Sequence, residues 1–324
     1  MDSLGRTIDY LRISVTDRCN ERCLYCMPEG YRGWERTPDH LTAEEVLQVV
    51  RVAVGLGFSK FRLTGGEPLL RPDIVDIVSG MAAVAGVEAI GLSTNGTRLA
   101  ARAQPLCDAG LRTVNVNLDA LDPDVYRRVT GGEVDAALAG IRAAVATGFE
   151  QVKLNCVLMR GVNETDFWPL VLFAADHALP LRFIELMPVT TPEALATQNF
   201  MTVDEAVEIL QRRDELLPVD ARHLGAGPAK YYRLMRTGAL VGFIGPLTTP
   251  HFCANCNKLR LTADGKLRPC LGDHGELDLR AALRSSCGDD AIRETFRAAL
   301  RAKPAEHGFH CGYRPCRPMT AIGG

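Results

Sequence analysis

Tyr10-Leu11-Arg12-Ile13-Ser14-Val15-Thr16 alternates polar and apolar side chains and runs almost directly into Cys19-Asn20-Glu21-Arg22-Cys23-Leu24-Tyr25-Cys26. The first stretch has period two, so it reads as a strand with two unlike faces. Arg12, Ser14 and Thr16 share one face, and Leu11, Ile13 and Val15 share the other. The second stretch sets three cysteines at C-x3-C-x2-C spacing on one loop after that strand. A structural zinc ion takes four ligands, and the next cysteine is Cys107. Three thiolates suit a 4Fe–4S cluster in which one iron lacks a protein ligand and stays open to a small molecule.

The same two-faced pattern recurs along the chain. Segments 60–64, 87–93, 112–118, 151–158 and 181–187 read as strands, and helical stretches separate them. Capping boxes at Thr42-x-x-Glu45 and Thr202-x-x-Glu205 open two of the predicted helices, and another starts near Asp73. Strands alternating with helices predict a parallel sheet with right-handed crossovers. Lys60, Arg62 and Thr64 oppose Phe61 and Leu63. Thr113, Asn115, Asn117 and Asp119 oppose Val114, Val116 and Leu118. Gln151, Lys153 and Asn155 oppose Val152, Leu154 and Cys156. A doubly wound sheet, covered on both faces, is apolar throughout. Strands with one polar face predict a barrel whose lumen is wet and holds a polar ligand. The sixth strand fits less well, since Arg182 shares its parity with Ile184 and Leu186. Past residue 213 the texture changes to short strands near 230–235 and 240–244 and a helix near 289–302. Two domains are expected, 1–213 and 214–324.

The 324 residues are 47% hydrophobic and 23% charged, enough for one large and one smaller domain. A net charge of −2 provides no general attraction to nucleic acid or to a membrane. No apolar run is long enough to span a bilayer, and residues 1–9 have no signal-peptide pattern. Eleven cysteines, an odd number grouped in metal-like spacings, predict a reducing cytoplasm.

Gly65-Gly66-Glu67-Pro68 follows the second strand, at the barrel end where ligands bind. Its glycines allow close backbone approach, and its acid could meet an ammonium. Cys253-x2-Cys256-x13-Cys270 forms a second trio, with Lys258 and Arg260 between its last two members. It reads either as a zinc site completed by His251 or His274, or as a second open cluster beside two cations. Cys107 and Cys156 read as core residues, and Cys287, Cys311 and Cys316 have no assigned role. His307, His310 and Cys311 lack a fourth zinc ligand at the usual spacing.

The C-x3-C-x2-C loop with Tyr25, together with Gly65-Gly66-Glu67-Pro68, resembles the radical S-adenosylmethionine superfamily. Within it, Arg12-Ile-Ser-Val-Thr-Asp-Arg-Cys19, Arg62-Leu-Thr-Gly-Gly-Glu-Pro68, the second cysteine trio and the terminal Gly323-Gly324 resemble the GTP 3′,8-cyclase family of molybdenum-cofactor biosynthesis. The resemblance implies an incomplete (β/α)6 barrel closed by a C-terminal region, two 4Fe–4S clusters, and S-adenosylmethionine as cofactor. It implies GTP as substrate, with C3′ of its ribose joined to C8 of guanine. An electron donor and the downstream cyclic pyranopterin monophosphate synthase are the implied partners, and a homodimer is left open. Residue by residue, Cys19, Cys23 and Cys26 match the first cluster's ligands, and Cys253, Cys256 and Cys270 the second's. Tyr25, Gly66, Asn117 and Met187 match contacts to S-adenosylmethionine. Arg12, Arg62, Ser93, Lys153, Arg182, Lys258, Arg260, Gly323 and Gly324 match the GTP site. Asn117 stands where the family usually has serine, Ser93 where it usually has threonine, and Lys258 replaces the first arginine of an Arg-x-Arg pair. No acid–base residue is assigned. The alternatives are a peptide-modifying enzyme of the same superfamily and a zinc-stabilised nucleic-acid-binding module.

Overall fold

In a computed structural model that describes residues 1–27, 40–189, 197–225, 227–311, 313 and 316–323, the alternation becomes one curved sheet. The central strands are β1 (Tyr10–Ser14), β2 (Lys60–Thr64), β3 (Ala89–Thr94), β4 (Thr113–Asn117), β5 (Gln151–Leu158) and β6 (Leu181–Glu185). They pair in sequence order and all in parallel. The sheet then grows at both edges through residues beyond 213. β7 (Leu216–Val219), β8 (Lys230–Leu234) and β9 (Leu240–Ile244) extend the β6 side. β10 (Lys258–Leu261), β11 (Lys266–Arg268) and β12 (Leu277–Asp278) extend the β1 side. Among the described residues this makes twelve strands in one sheet, open between β12 and β7. The first six form the expected incomplete barrel.

Helices α1 (Ala43–Val54), α2 (Ile74–Ala82), α3 (Ala103–Asp108), α4 (Pro123–Thr130), α5 (Val134–Thr147) and α6 (Phe167–Asp176) provide the crossovers. They are followed by α7 (Val203–Gln211), α8 (Leu279–Leu283), α9 (Gly288–Arg301) and the short α10 (Met319–Ile322). Both capping boxes are formed, at Thr42–Glu45 and Thr202–Glu205. The apolar strand faces carry Leu11, Ile13, Phe61, Leu63, Val114, Val116, Leu154 and Cys156. These join Val49, Ile77, Leu106, Ile141, Leu170 and Phe296 of the helices in one buried core. Cys107 packs against that core.

The odd parity of the sixth strand has a local cause. Glu185 lies on the helix side of β6 and is 1% exposed. Its carboxylate accepts hydrogen bonds from the backbone N–H groups of Val203 (3.1 Å), Leu247 (2.9 Å) and Thr248 (3.2 Å). One acid therefore ties β6 to the start of α7 and to the loop after β9, and Arg182 is left on the lumen side. The Glu185→Ala variant would orphan one buried and two part-buried N–H groups, a cost of about 2–3 kcal/mol. We expect its thermal midpoint to fall by several degrees in an anaerobic scan, with Glu185→Gln losing less.

Candidate functional site

The first cysteine loop caps the C-terminal end of β1. Its backbone is clamped from α4, with Arg22 N–H bonded to Thr130 O (2.7 Å) and Leu24 N–H to Val129 O (2.9 Å). Tyr25 donates its hydroxyl to Asp119 Oδ2 (2.7 Å), and Tyr126 donates to Glu21 Oε1 (2.7 Å). From the β2 side, Gly66 N–H bonds Thr16 O (2.8 Å) and Glu67 N–H bonds Arg18 O (2.7 Å). A Cβ on Gly66 would stand 2.3 Å from Arg18 O, so this glycine is required by backbone packed on backbone. Glu67 departs from the sequence reading. It is fully buried and accepts from Leu69 N–H (2.9 Å), Thr94 Oγ1 (2.7 Å) and Asn95 N–H (2.8 Å). Those donors fill it, so it fastens the β2 and β3 loops together and offers little to an ammonium. Burial still pushes its carboxyl up to about 7.

The three thiols of this loop lie within electrostatic reach of one another. Burial raises all three, Cys19 to about 12, and the nearby Glu21 adds to the rise. Buried thiols in acidic company hold their protons until a cation compensates, which iron does. Cys19 Sγ already accepts from Glu21 N–H (3.4 Å), the kind of bond a metal-bound thiolate takes. Among the described residues no three or more His, Cys, Asp or Glu side chains converge tightly enough for a single metal ion. Thiolates that each sit on a separate iron need no such convergence. Three thiols held on one loop fit a 4Fe–4S cluster with one iron left open.

Below the loop, the polar strand faces form successive rows across the sheet. Lys258, Tyr10 and Lys60 stand side by side on β10, β1 and β2. The next row runs Arg260, Arg12, Arg62, Gly91 and Thr113. Above it, Ser93, Asn115 and Lys153 are in register. The row above that runs Asn117, Asn155, Arg182, Gly242 and Tyr231. Six of the predicted GTP-site cations therefore face one lumen. Burial lowers Arg12, Arg182, Arg260 and Lys258, and their mutual repulsion adds to it. Lys153 falls to about 7, from burial and from Arg182 and Arg62. Arginine keeps its proton, so the shift records how unfavourably these charges are placed without an anion. Burial would raise the Tyr10 phenol, yet Arg62, Arg12 and Lys258 outweigh it.

Several of these cations are also held. Arg62 donates to Tyr10 Oη (2.5 Å), Leu92 O (2.8 Å) and Thr113 Oγ1 (3.2 Å). Its guanidinium lies over Gly91, where a Cβ would come within 2.6 Å of Arg62 Nη2. Arg182 donates through Nε (2.9 Å) and Nη2 (2.6 Å) to Asn155 Oδ1, and Asn155 Nδ2 donates to Asn117 Oδ1 (3.2 Å). Lys153 Nζ bonds Leu224 O, in the turn Arg222–Leu224. Tyr10, Gly91 and Thr113 were not singled out in the sequence. Tyr10 was legible from its parity with Arg12; Gly91 needed the register.

The second cysteine trio lies at the opposite end of the lumen. Cys253 and Cys256 precede β10, which runs parallel to β1, and Cys270 follows β11, which runs back. Arg6 holds this end by donating to Cys253 O (3.1 Å) and Pro304 O (2.7 Å). Buried Lys303 donates to Lys258 O and Pro269 O, each at 2.8 Å. Burial raises the Cys256 thiol, and Lys303 and Lys258 reverse this to a net lowering. The cations ready Cys256 as an anionic ligand, while burial raises Cys253 and Cys270, whose protons a bound metal would displace; three thiols gathered at one end of the lumen fit a cluster. The two histidines considered as a fourth zinc ligand are engaged elsewhere or exposed. His274 Nδ1 faces Cys316 Sγ (3.5 Å) and its ring stacks on Tyr313 (4.7 Å), while His251 is exposed. His307 Nε2 bonds Pro246 O at 2.7 Å.

The C-terminal tail connects the two ends. Met319 N–H bonds Cys26 O (3.3 Å), and Met187, Cys26, Met319 and Ile322 share one apolar cluster. Gly323 then reaches the lumen, where its carbonyl accepts from Arg260 Nη1 (2.5 Å) and a Cβ would meet Ser14 Cβ at 2.9 Å. The expectation for Gly324 falls outside the described residues.

The profile described as the radical SAM superfamily matches residues 13–174, and that described as Molybdenum Cofactor Synthesis C matches 179–309. A GTP 3′,8-cyclase of Moorella thermoacetica is 44% identical over 100% of this chain and 99% of its own. GTP 3′,8-cyclase 1 of Pseudomonas aeruginosa is 45% identical over 95% of this chain and 94% of its own. In fold, the chain is similar to Streptococcus suis SuiB bound to S-adenosylmethionine, with a TM-score of 0.63 at 13% identity over 90% of this chain and 68% of that one. Superfamily membership implies a 4Fe–4S cluster and S-adenosylmethionine. With two profiles in tandem along a lumen of this kind, and full-length identity above 40%, the chain belongs to the GTP 3′,8-cyclase family of radical SAM enzymes.

Proposed function

We propose that the chain cyclises GTP to (8S)-3′,8-cyclo-7,8-dihydroguanosine 5′-triphosphate, the first step of molybdenum-cofactor biosynthesis. The observation that carries this reading is a single cation-lined lumen with a trio of thiols at each end. When bound at Cys19, Cys23 and Cys26, the first cluster supplies the electron that cleaves S-adenosylmethionine, whose adenosyl fragment supplies a hydrogen-abstracting radical. The protein positions, shields and neutralises. Gly66, Asn117, Met187 and Tyr25 surround the upper end and orient S-adenosylmethionine there. Arg12, Arg182, Arg260 and Lys258 offset the triphosphate charge, and Ser93 offers a hydroxyl. Arg62, held by three of its five N–H donors, adds its charge and keeps two N–H groups for phosphate. Lys153 exchanges the Leu224 carbonyl for phosphate. Cys253, Cys256 and Cys270 would hold a second 4Fe–4S cluster, which would supply an open coordination site for the guanine end. Residues 1–213 and 214–324 then divide the work, the first serving S-adenosylmethionine and the second serving guanine. The tail ending in Gly323-Gly324 helps orient the two ligands relative to each other.

The reading requires a one-electron donor and the cyclic pyranopterin monophosphate synthase to take the product, with all three in the cytoplasm. A homodimer would appear in sedimentation of the loaded protein. A peptide substrate lacks the charge that six inward cations would meet. Among the described residues no helix is long and apolar enough to cross a membrane.

Anaerobic turnover with GTP, S-adenosylmethionine and a reductant tests the function, and the expected product is the 3′,8-cyclic nucleotide. Cleavage of S-adenosylmethionine without that product would reject it. Cys19→Ser should abolish cleavage. Cys270→Ser should retain the first cluster and lose cyclisation, with iron content intermediate between parent and apo-protein. Arg182→Ala should weaken GTP binding about ten- to a hundredfold, the worth of a charge-assisted bond. A pH dependence follows from Lys153. Its free-state value near 7 means that above this pH GTP must bind together with a proton. Titration calorimetry should show GTP affinity falling from pH 7 to 9, and Lys153→Arg should flatten the slope.

A further inference from the structure

Asn115 occupies the centre of the polar face. Along β4 it lies between Thr113, which Arg62 engages, and Asn117, which Asn155 engages. Across the sheet it lies between Ser93 and Lys153. Its side chain differs from those neighbours. It is 7% exposed, and among the described residues nothing donates to its buried Oδ1. A buried carboxamide oxygen without a partner costs about 1–3 kcal/mol, and native proteins keep few of them. The adjacent asparagines, by contrast, are engaged in the bonded chain Asn117–Asn155–Arg182.

The height of Asn115 in the lumen indicates which ligand group meets it. The row below holds Arg260, Arg12 and Arg62, suited to phosphate. The row above holds Asn117, nearer the first cysteine loop, with Arg182 two strands away on β6. A nucleotide that spreads its phosphates along the cations on both sides of β4, with its reacting carbon facing the loop, places its ribose over β4 between these rows. A ribose cis-diol is a donor that an amide oxygen lacks here, and a half-turn of the carboxamide offers an N–H instead.

We propose that Asn115 recognises the ribose cis-diol of GTP and is a specificity-determining residue of this site. The inference rests on the GTP reading above. A site built to bond a hydroxyl leaves its own polar group unpaired when an analogue lacks that hydroxyl, so it discriminates against deoxynucleotides.

The test is equilibrium binding of GTP, 2′-deoxy-GTP and 3′-deoxy-GTP to the anaerobic, cluster-loaded full chain, as parent, Asn115→Ala and Asn115→Ser. Iron content and thermal midpoint check folding, and the serine variant serves if alanine fails to fold. In the parent, at least one deoxy analogue should bind about two- to tenfold more weakly than GTP, the worth of one neutral hydrogen bond. In Asn115→Ala, GTP should weaken by a similar factor and discrimination against that analogue should vanish. The identity of the analogue tells which hydroxyl is read. A merely structural role would weaken all three nucleotides equally and keep their ratio, which would overturn the inference while leaving the GTP reading intact. Equal binding of all three by the parent would overturn it too. A parent that binds no GTP would sink both.

Discussion

The structure depends on a repulsion that folding alone would avoid. Arg260, Arg12 and Arg62 stand directly opposite one another on three adjacent strands. Strands lie about 4.8 Å apart, and like charges in cross-strand pairs are destabilising. Lys258 and Lys60 repeat the arrangement one row lower, beside Tyr10. The sheet tolerates this because its other face is continuously apolar. Leu11, Phe61, Leu63, Leu259 and Leu261 alternate with the cations and are buried under helices. The outer face stabilises the fold, and the inner face holds charge for an anion. Natural sites commonly trade stability for function in this way.

Placing those cations accurately takes further polar machinery. Arg62 is fixed by a phenol, a carbonyl and a threonine, and Arg260 by the carbonyl of Gly323. The tail that brings Gly323 there is itself anchored. Arg317 bonds Glu276 (3.1 Å), Asp264 (2.9 Å) and Ala321 O (3.4 Å). Glu276 also pairs at 2.5 Å with Arg268, which is 1% exposed. The acids of the C-terminal region thus serve as supports beside the lumen, while the lumen itself stays positive.

What was legible in the sequence was whatever is periodic or clustered. Strand β2 and strand β5 have the expected bounds, and the parity of β1, β2, β4 and β5 separated lumen from core. The expectation failed where the pattern was short or its partner distant in sequence. β10, β11 and β12 are four, three and two residues long, too short for periodicity to stand out. Lys258 and Arg260 were read only as two cations between cysteines, although Lys258-Leu259-Arg260-Leu261 alternates as a strand does. Their place beside Tyr10 and Arg12 comes only from pairing, across more than 240 residues of chain. Glu67 misled for a related reason: an acid in a glycine-rich turn looks available until three donors, two of them from another loop, fill it.

The departures from the family pattern also acquire physical meaning. Asn117 stands where the family usually has serine, and its carboxamide accepts from Asn155, whose own oxygen holds Arg182. Serine is shorter and would leave that donor unmet across the strands. The asparagine therefore links the end of the lumen beneath the first cysteine loop to the Arg182 cation. Lys258, in place of the usual arginine, loses the bidentate fork. Its ammonium lies 5.5 Å from the centre of the Tyr10 ring and bonds Asn257 Oδ1 at 2.9 Å. The same ring's hydroxyl takes the Arg62 bond. Tyr10 thus spaces two cations with one side chain, its face toward the lysine and its oxygen toward the arginine. The compact ammonium suits that face, and the positive charge of this row is kept even though the fork is gone.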